Sequence, residues 1–177
     1  EIAATGDRVL VLEDTVELQC AARDHVPLRT RQGVVSMQEL VRSSMRLRPD
    51  RVVVGEVRGA EALDLIKVWG TGHPGGIATI HAGSALGALL RLEQLILEVA
   101  VNPPRALIAE AVNVVIYIAG RGRKRRIESI VRIVGFDGVV YQLADAMETP
   151  FPELPPVSSV APAAAPSLSL DPPGELP

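Results

Sequence analysis

The sequence has few aromatic residues, a single cysteine and no long apolar run. Aromatic side chains make up 3% of its 177 residues and hydrophobic residues 47%, so aliphatic side chains must fill most of the core. Cys20 has no second cysteine to pair with, which fits a reducing compartment. The apolar runs around Val52–Val54 and Val112–Ala119 are far shorter than the roughly 18 residues that span a bilayer. The sequence therefore predicts a soluble, globular chain without a transmembrane helix.

The chain also lacks a strong net charge. The formal charge is −3, and the segment Pro150–Pro177 contributes three acids and no Lys or Arg, so the first 149 residues are formally neutral. One local exception is the basic run Arg121–Arg126, which could contact acidic lipid or nucleic acid. A solvated hairpin is the favoured interpretation of this run. Because no aromatic residues are interleaved with it, we do not expect direct nucleic-acid binding.

The end of the sequence differs in composition from the rest. Residues 149–177 hold nine of the fourteen prolines, together with Ala and Ser runs. Such a stretch cannot form a cooperative helix or the interior of a sheet, and it has little to bury. We therefore predict one domain over residues 1–148 and a disordered, Pro/Ala-rich tail over residues 149–177.

The predicted domain alternates strand-like and helix-like patterns, which indicates an α/β fold with a mostly parallel sheet and flanking helices. The predicted elements are a strand at Arg8–Leu12, an extended piece at His25–Thr30, a helix from the Ser36 cap to Arg46, a strand at Arg51–Gly55, a helix at Ala60–Trp69, a strand at Ile77–Ile80 and a helix opened by Ser84. Three later strands, at Asn113–Ala119, Arg126–Val134 and Val139–Leu143, are predicted to form an antiparallel addition to this core.

Three of the predicted strands end in side chains that carry chemistry. Glu13 and Asp14 follow the first strand, Glu56 and Arg58 follow the strand at Arg51–Gly55, and His81 follows the third. The carboxyl ends of parallel strands form the ligand crevice of an open α/β sheet, so we expect one shared edge. Carboxylates there can bind Mg²⁺ and orient water, and an imidazole can donate to a phosphate oxygen. Taken singly, each residue also fits a solvated strand end or a structural ion pair.

Three segments resemble the Asp box, Walker B and His box of the secretion-traffic ATPases. They are, in order, Leu12–Leu18 (LEDTVEL), Met45–Gly59 (MRLRPDRVVVGEVRG) and Thr71–Ala82 (TGHPGGIATIHA). The flanking segments Glu17–Ala22 and Glu61–Leu65 most resemble the TrbB branch, which belongs to conjugative type IV secretion. The resemblance covers roughly residues 7–143.

The resemblance implies a role for each site residue. Glu56 matches the Walker B glutamate, which polarises the attacking water and helps to hold Mg²⁺, and Glu13 matches an acid that supports metal and water. His81 matches the residue that faces the γ-phosphate of ATP. Further candidates for nucleotide contacts are Asp14, Gly55 and Arg58.

The resemblance also implies an assembly and a location. It predicts a RecA-like fold, ATP and Mg²⁺ as ligands, and a homo-hexameric ring with ATP at the subunit boundaries. Such a motor is expected in the cytoplasm, peripheral to the inner membrane, where it works with inner-membrane components of a secretion or conjugation machine. Coupling of ATP hydrolysis to pilus assembly or substrate transfer is the implied function.

One family feature is missing from the sequence. No Gly-rich loop ending in Gly-Lys-Ser/Thr precedes the Asp box, although that loop cradles the phosphates in this family. Only twelve residues precede Glu13, so we expect the loop to lie upstream of Glu1 and the chain by itself to be inactive. Two alternatives stay open: a motor of type IV pilus assembly or type II secretion, and a non-catalytic, truncated docking module.

Overall fold

The computed structural model describes residues 4–146, so the predicted tail at residues 149–177 lies outside the described residues. Within the described range the strands are β1 Arg8–Glu13, β2 Asp24–Arg29, β3 Arg51–Val54, β4 Ile77–Ala78, β5 Val114–Ala119, β6 Arg126–Phe136 and β7 Tyr141–Asp145. The α-helices in that range are α1 Met37–Ser44, α2 Glu61–Gly70, α3 Ala85–Leu97 and α4 Arg105–Ala111.

The strands form a parallel and an antiparallel sheet. The parallel sheet has the order β2-β1-β3-β4, and the antiparallel sheet has the order β5-β6-β7. This arrangement confirms the predicted α/β class, with a parallel core, flanking helices and an antiparallel addition. No helix within residues 4–146 is long and apolar enough to cross a membrane.

The central strand β1 is buried on both faces. Leu10 and Leu12 belong to the main core beneath the helices, whereas Val9 and Val11 pack with Ala22 in a smaller cluster on the other face. A strand covered on both sides needs apolar side chains at every position, which explains the unbroken aliphatic run. Each fully buried Val or Leu contributes about 1.5–3 kcal/mol.

Helix α1 begins at the predicted capping box. The Ser36 hydroxyl accepts from the Glu39 amide at 3.2 Å, and the Glu39 carboxylate accepts from the Ser36 amide at 2.7 Å. The prediction that the helix continues to Arg46 is too long, because α1 ends at Ser44 and a 3-10 turn covers Met45–Leu47. The following residue, Arg48, is left-handed, with φ 51°, and Pro49 disfavours the right-handed helical region there, so the helix cannot continue.

Strand β4 is shorter than the predicted Ile77–Ile80, since its pairing with β3 stops at Ala78. Thr79 bonds instead to the loop that follows β3. Its carbonyl accepts from the Val57 amide at 2.9 Å, and its hydroxyl donates to the Gly55 carbonyl at 2.5 Å. The chain after β4 is therefore fixed against the segment that carries Glu56.

The last strand is displaced from its predicted position at Val139–Leu143. Asp137 folds the chain into a turn, because its carboxylate accepts from the amides of Val139 and Val140, both at 2.8 Å. Strand β7 consequently begins only at Tyr141. The two valines are exposed in the turn rather than paired in the sheet.

The antiparallel sheet is joined to the helices by a buried carboxylate as well as by apolar packing. Ile133 of β6 belongs to the main core. Glu93 of α3, only 6% exposed, accepts from Arg105 of α4 at 2.9 Å and from the Tyr141 hydroxyl at 2.8 Å. Three elements therefore meet at one buried carboxylate side chain.

Candidate functional site

The carboxyl ends of β1, β3 and β4 lie side by side. The register pairs Leu12 with Val54 and Val54 with Ala78, so the residues that follow these three positions are neighbours. The amide of Gly55 also donates to the Leu12 carbonyl at 2.8 Å, which extends the contact one residue past β3. The predicted shared edge is thus present in the structure.

Glu56 is the centre of this edge. Its Oε2 accepts from Arg58 Nη2 at 2.5 Å, and its Oε1 lies 3.2 Å from His81 Nε2. The hydrogen bond from Arg58 lowers the pKa of the Glu56 carboxyl, and the charge of Arg58 acts in the same direction. The carboxyl is therefore ionised at neutral pH, with the Arg58 guanidinium hydrogen-bonded to one oxygen and the His81 ring beside the other.

Solvent access differs across the three side chains of this group. The Glu56 side chain is 21% exposed, whereas that of His81 is 92% exposed. Arg58 also lies mostly in solvent. His81 is therefore the most accessible of the three side chains to an incoming ligand, and Glu56 the least.

Arg58 connects the ends of two strands. Its Nη1 lies 3.6 Å from Asp14 Oδ2, while Nη2 binds Glu56. Asp14 is fixed in turn by the Thr30 hydroxyl, which donates to its Oδ1 at 2.6 Å. The nearby carboxylates raise the pKa of Arg58, first of all Glu56, so the guanidinium keeps its charge.

Glu13 differs from the neighbouring site residues because its hydrogen bonds are to backbone amides of the loop after β1. It is 5% exposed, and its Oε1 accepts from the amides of Glu17 at 3.0 Å and Leu18 at 2.8 Å. Its Oε2 receives no hydrogen bond from residues 4–146. Within that range Glu13 also makes no hydrogen bond or ion pair with Glu56, Arg58 or His81. Its observed contacts hold the loop after β1 in place.

The absence of a side chain at Gly55 leaves room for the side chain of Glu13. A Cβ added at Gly55 would lie 3.3 Å from Glu13 Cγ and 3.6 Å from the Leu12 carbonyl oxygen, which is a crowded environment for a side chain. The structure thus gives Gly55 a packing role against Glu13. Its contact with nucleotide stays a prediction.

Sequence reasoning missed Glu61, which positions Arg58. Its carboxylate is buried, and its Oε1 accepts from the amides of Arg58 at 2.6 Å and Gly59 at 2.9 Å. The sequence signal that could have identified Glu61 is its position in the first turn of a helix. Acids are common there because their negative charge interacts favourably with the unpaired amides. Because Glu61 fixes the turn between β3 and α2, it also fixes the direction in which Arg58 leaves the backbone.

The glycine-rich loop before β4 packs tightly against β3 and α2. The Trp69 indole donates to the Val52 carbonyl at 3.2 Å, and Arg51 donates to the Gly75 carbonyl at 3.3 Å. A side chain at Gly76 would overlap the indole ring and the Val52 carbonyl. Only glycine fits there, and the close packing sets the register of β4, which leads to His81.

The acidic side chains of the site could bind a metal ion only together with phosphate and water ligands. Within residues 4–146 no three His, Cys, Asp or Glu side chains are grouped so as to hold a metal ion. Mg²⁺ in nucleotide enzymes is commonly bound by one or two carboxylates, with phosphates and water completing its shell. Glu56, with its accessible carboxylate, fits that mode, and the free Oε2 of Glu13 is compatible with it. Binding of Mg²⁺ by Glu56 and Glu13 stays a prediction.

Comparison with known proteins identifies the family. A family model described as "Type II/IV secretion system protein" matches residues 1–121, which is more than half of the chain. The chain belongs to this family. The resemblance inferred from the three sequence boxes is thereby confirmed.

Individual members of the secretion family are similar over most of the chain. The conjugal transfer protein TrbB of Rhizobium radiobacter is 49% identical over 140 residues, covering 79% of this chain and 43% of that protein. The type IV secretion system protein PtlH of Bordetella pertussis is 34% identical over 140 residues, covering 70% of this chain and 41% of that protein.

A solved structure in this family supports the predicted fold. The crystal structure of the VirB11 ATPase from the Brucella suis type IV secretion system, in complex with sulphate, has a TM-score of 0.63 and 30% identity. The match covers 71% of this chain and 40% of that one. The chain therefore spans less than half the length of the relatives that it matches.

Proposed function

We propose that the complete protein is an ATP-hydrolysing motor of a conjugative type IV secretion system, and that this chain forms the acid and histidine side of its ATP site. One observation carries the proposal: Glu56, Arg58 and His81 form a contiguous group where adjacent parallel strands end. Membership of the secretion family and the similarity to a protein titled VirB11 ATPase support it.

Glu56 is the residue that we assign to the attacking water. An ionised carboxylate can accept a proton from water and orient it for attack on a terminal phosphate. Arg58 is hydrogen-bonded to one of its oxygens and the His81 ring lies against the other, so water must displace one of these two neighbours. We assign that displacement to His81, because its side chain is the more exposed of the two and can turn toward a phosphate oxygen.

The remaining residues support this displacement. Arg58 keeps Glu56 ionised and oriented while its other nitrogen faces Asp14. Glu61 and Glu13 hold the two loops from which these groups project. Mg²⁺ bound at Glu56, with Glu13 in support, would offset the negative charge of the phosphates.

The proposal extends to the assembly. We infer a homo-hexameric ring with ATP at the subunit boundaries, located in the cytoplasm and peripheral to the inner membrane. Its partners would be the inner-membrane components of a conjugation machine, with no direct contact to nucleic acid. The names of the TrbB and PtlH relatives, which are conjugal transfer and type IV secretion proteins, support the link to a conjugation or secretion machine.

The chain by itself should bind ATP weakly. Its 177 residues contain no Gly-Lys-Ser/Thr loop, so no backbone cradle and lysine are available for the phosphates. Titration calorimetry with Mg²⁺ and ATP should give a dissociation constant well above the micromolar range. A micromolar constant would contradict this part of the proposal.

A single substitution in the complete protein tests the role of Glu56. Glu56→Gln removes the charge that orients water but keeps the shape, so turnover should fall at least a hundredfold while ATP binding stays within a few fold. Glu110→Gln is a matched control, since it neutralises an exposed carboxylate of α4. Normal turnover of the Glu56 variant would remove that residue from its role.

A further inference from the structure

The antiparallel sheet has an apolar face turned away from the core. Ile133 lies on the covered side and is buried. On the opposite side Ile118 pairs directly with Ile127. The outer face, as we define it, consists of Ile116, Ile118, Ile127 and Val134, each more than half exposed. No part of residues 4–146 covers it.

A group of unpaired cations borders this outer face. The basic hairpin, Arg121–Arg126, joins β5 to β6, and each of its residues is exposed. Within residues 4–146, only Arg126 forms an ion pair, with Glu128 at 2.8 Å. Four cations of the hairpin therefore have no acidic partner in the described part of the chain. An apolar surface next to unpaired positive charge suits a ligand that is both apolar and acidic.

The chain leaves the described region beside this surface. Strand β7 is antiparallel to β6, with Asp145 opposite Val131, and the Ala146 amide donates to the Ile130 carbonyl at 2.9 Å. At Ala146, the last described residue, the chain therefore runs toward the end of β6 that carries the basic hairpin. At Arg126–Ser129, the β7 side of β6 has no strand partner among residues 4–146.

The segment that follows has the matching composition. Residues 147–177 contain no Lys or Arg. Their acids are Glu148, Glu153, Asp171 and Glu175, and their larger apolar residues include Phe151, Leu154, Val157, Val160, Leu168 and Leu170. The segment therefore carries both kinds of side chain that the outer face and the basic hairpin would bind.

We propose that residues 147–177 dock on the outer face of the antiparallel sheet, with their acids on the basic hairpin. Tethering makes this docking feasible even when each contact is weak, because a short linker gives an effective concentration of about a millimolar. The docked segment would shield the hairpin from other anionic surfaces. Docking is independent of the proposed ATPase function.

Paramagnetic broadening in NMR spectra tests the docking directly. A nitroxide is attached to the full chain through Ser158→Cys in a Cys20→Ser background. Amides of β5 and of the basic hairpin should lose at least half of their intensity, with no change on tenfold dilution. Broadening spread evenly over the protein would overturn the proposal. Broadening that disappears on dilution would also overturn it, because the occupant would then be a second copy.

Charge variants test which groups hold the segment. Neutralising its four acids to Gln or Asn should restore the hairpin intensities, as should high salt, whereas Glu98→Gln and Glu110→Gln should not. The acid-neutralised chain should also bind phosphatidylglycerol vesicles about tenfold more tightly, since its hairpin is uncovered. Equal vesicle binding by the two chains would show that the segment does not cover the hairpin, and would overturn the proposal.

Discussion

Removal of one hydroxyl, by Tyr141→Phe, should destabilise the junction between the two sheets. That hydroxyl donates to Glu93, which also binds Arg105, and these three residues come from β7, α3 and α4. The substitution leaves the ring in place, with its tilted contact to Phe136 at 5.4 Å between centroids. Any loss of stability therefore reports on the hydrogen bond rather than on ring packing.

The size of the effect follows from the charge and burial of Glu93. A hydrogen bond to a charged group contributes about 1.5–3 kcal/mol. The bond to Arg105 survives in the variant, so the carboxylate keeps a partner and the loss should lie near the lower end of that range. Urea denaturation at pH 7 measures it, and the Tm should fall by about 2–4 °C for each kcal/mol lost.

A second tyrosine provides the control. The hydroxyl of Tyr117 in β5 makes no hydrogen bond within residues 4–146, so Tyr117→Phe should change stability by less than about 0.5 kcal/mol. Equal losses in both variants, or no loss in Tyr141→Phe, would refute the assigned role of the Glu93 junction.

The same junction predicts a dependence on alkaline pH. Burial raises the pKa of Tyr141 above its ordinary value of about 10, and the bond to Glu93 adds to the rise. A raised pKa in the folded state stabilises the fold below the unfolded pKa, and that contribution is lost as the pH rises beyond it. The free energy of unfolding should therefore fall more steeply above about pH 10 in the wild type than in Tyr141→Phe.

Two further substitutions test the loops of the strand-end site in this chain. Gly76→Ala should cost about 1–3 kcal/mol in urea denaturation, because its methyl group would overlap the partly buried Trp69 indole, whereas Gly83→Ala faces open space and should be neutral. Arg58→Gln should raise the pKa of Glu56 toward its ordinary value, measured by carboxyl NMR titration. The stability that the depressed pKa supplies above about pH 4.5 should then be lost. An unchanged titration of Glu56 would contradict the assigned pairing with Arg58.

Local sequence signals predicted the features of the fold that depend on neighbouring residues. The capping box at Ser36 needs only a serine and a glutamate three residues apart. The meeting of Glu13, Glu56 and His81 at one edge follows from strand and helix alternation, because right-handed crossovers return each strand in the same direction. These predictions required no knowledge of side-chain contacts.

Other features depend on contacts that the local pattern does not specify. Val139 and Val140 have the composition of a strand, yet the Asp137 carboxylate takes both amides and delays β7. Glu61 reads as an ordinary acid at a helix start, although burial and two amide bonds make it part of the site. Sequence spacing could place such groups near one another, but it could not show which donors each carboxylate accepts.

The charge of the strand-end edge explains why the proposed ATP site cannot rest on these residues alone. Three acids, Glu13, Asp14 and Glu56, lie at this edge, and Arg58 pairs with the last two, so carboxylates outnumber guanidinium groups there. A triphosphate is itself strongly anionic, and two like charges 4 Å apart repel by about 1 kcal/mol even in water. Affinity for ATP must therefore come from cations and amides outside this edge, as a phosphate-binding loop would supply. In the proposed site the edge would orient water and help to hold Mg²⁺, while the phosphates would be bound elsewhere, and this division of labour would account for its acidic character.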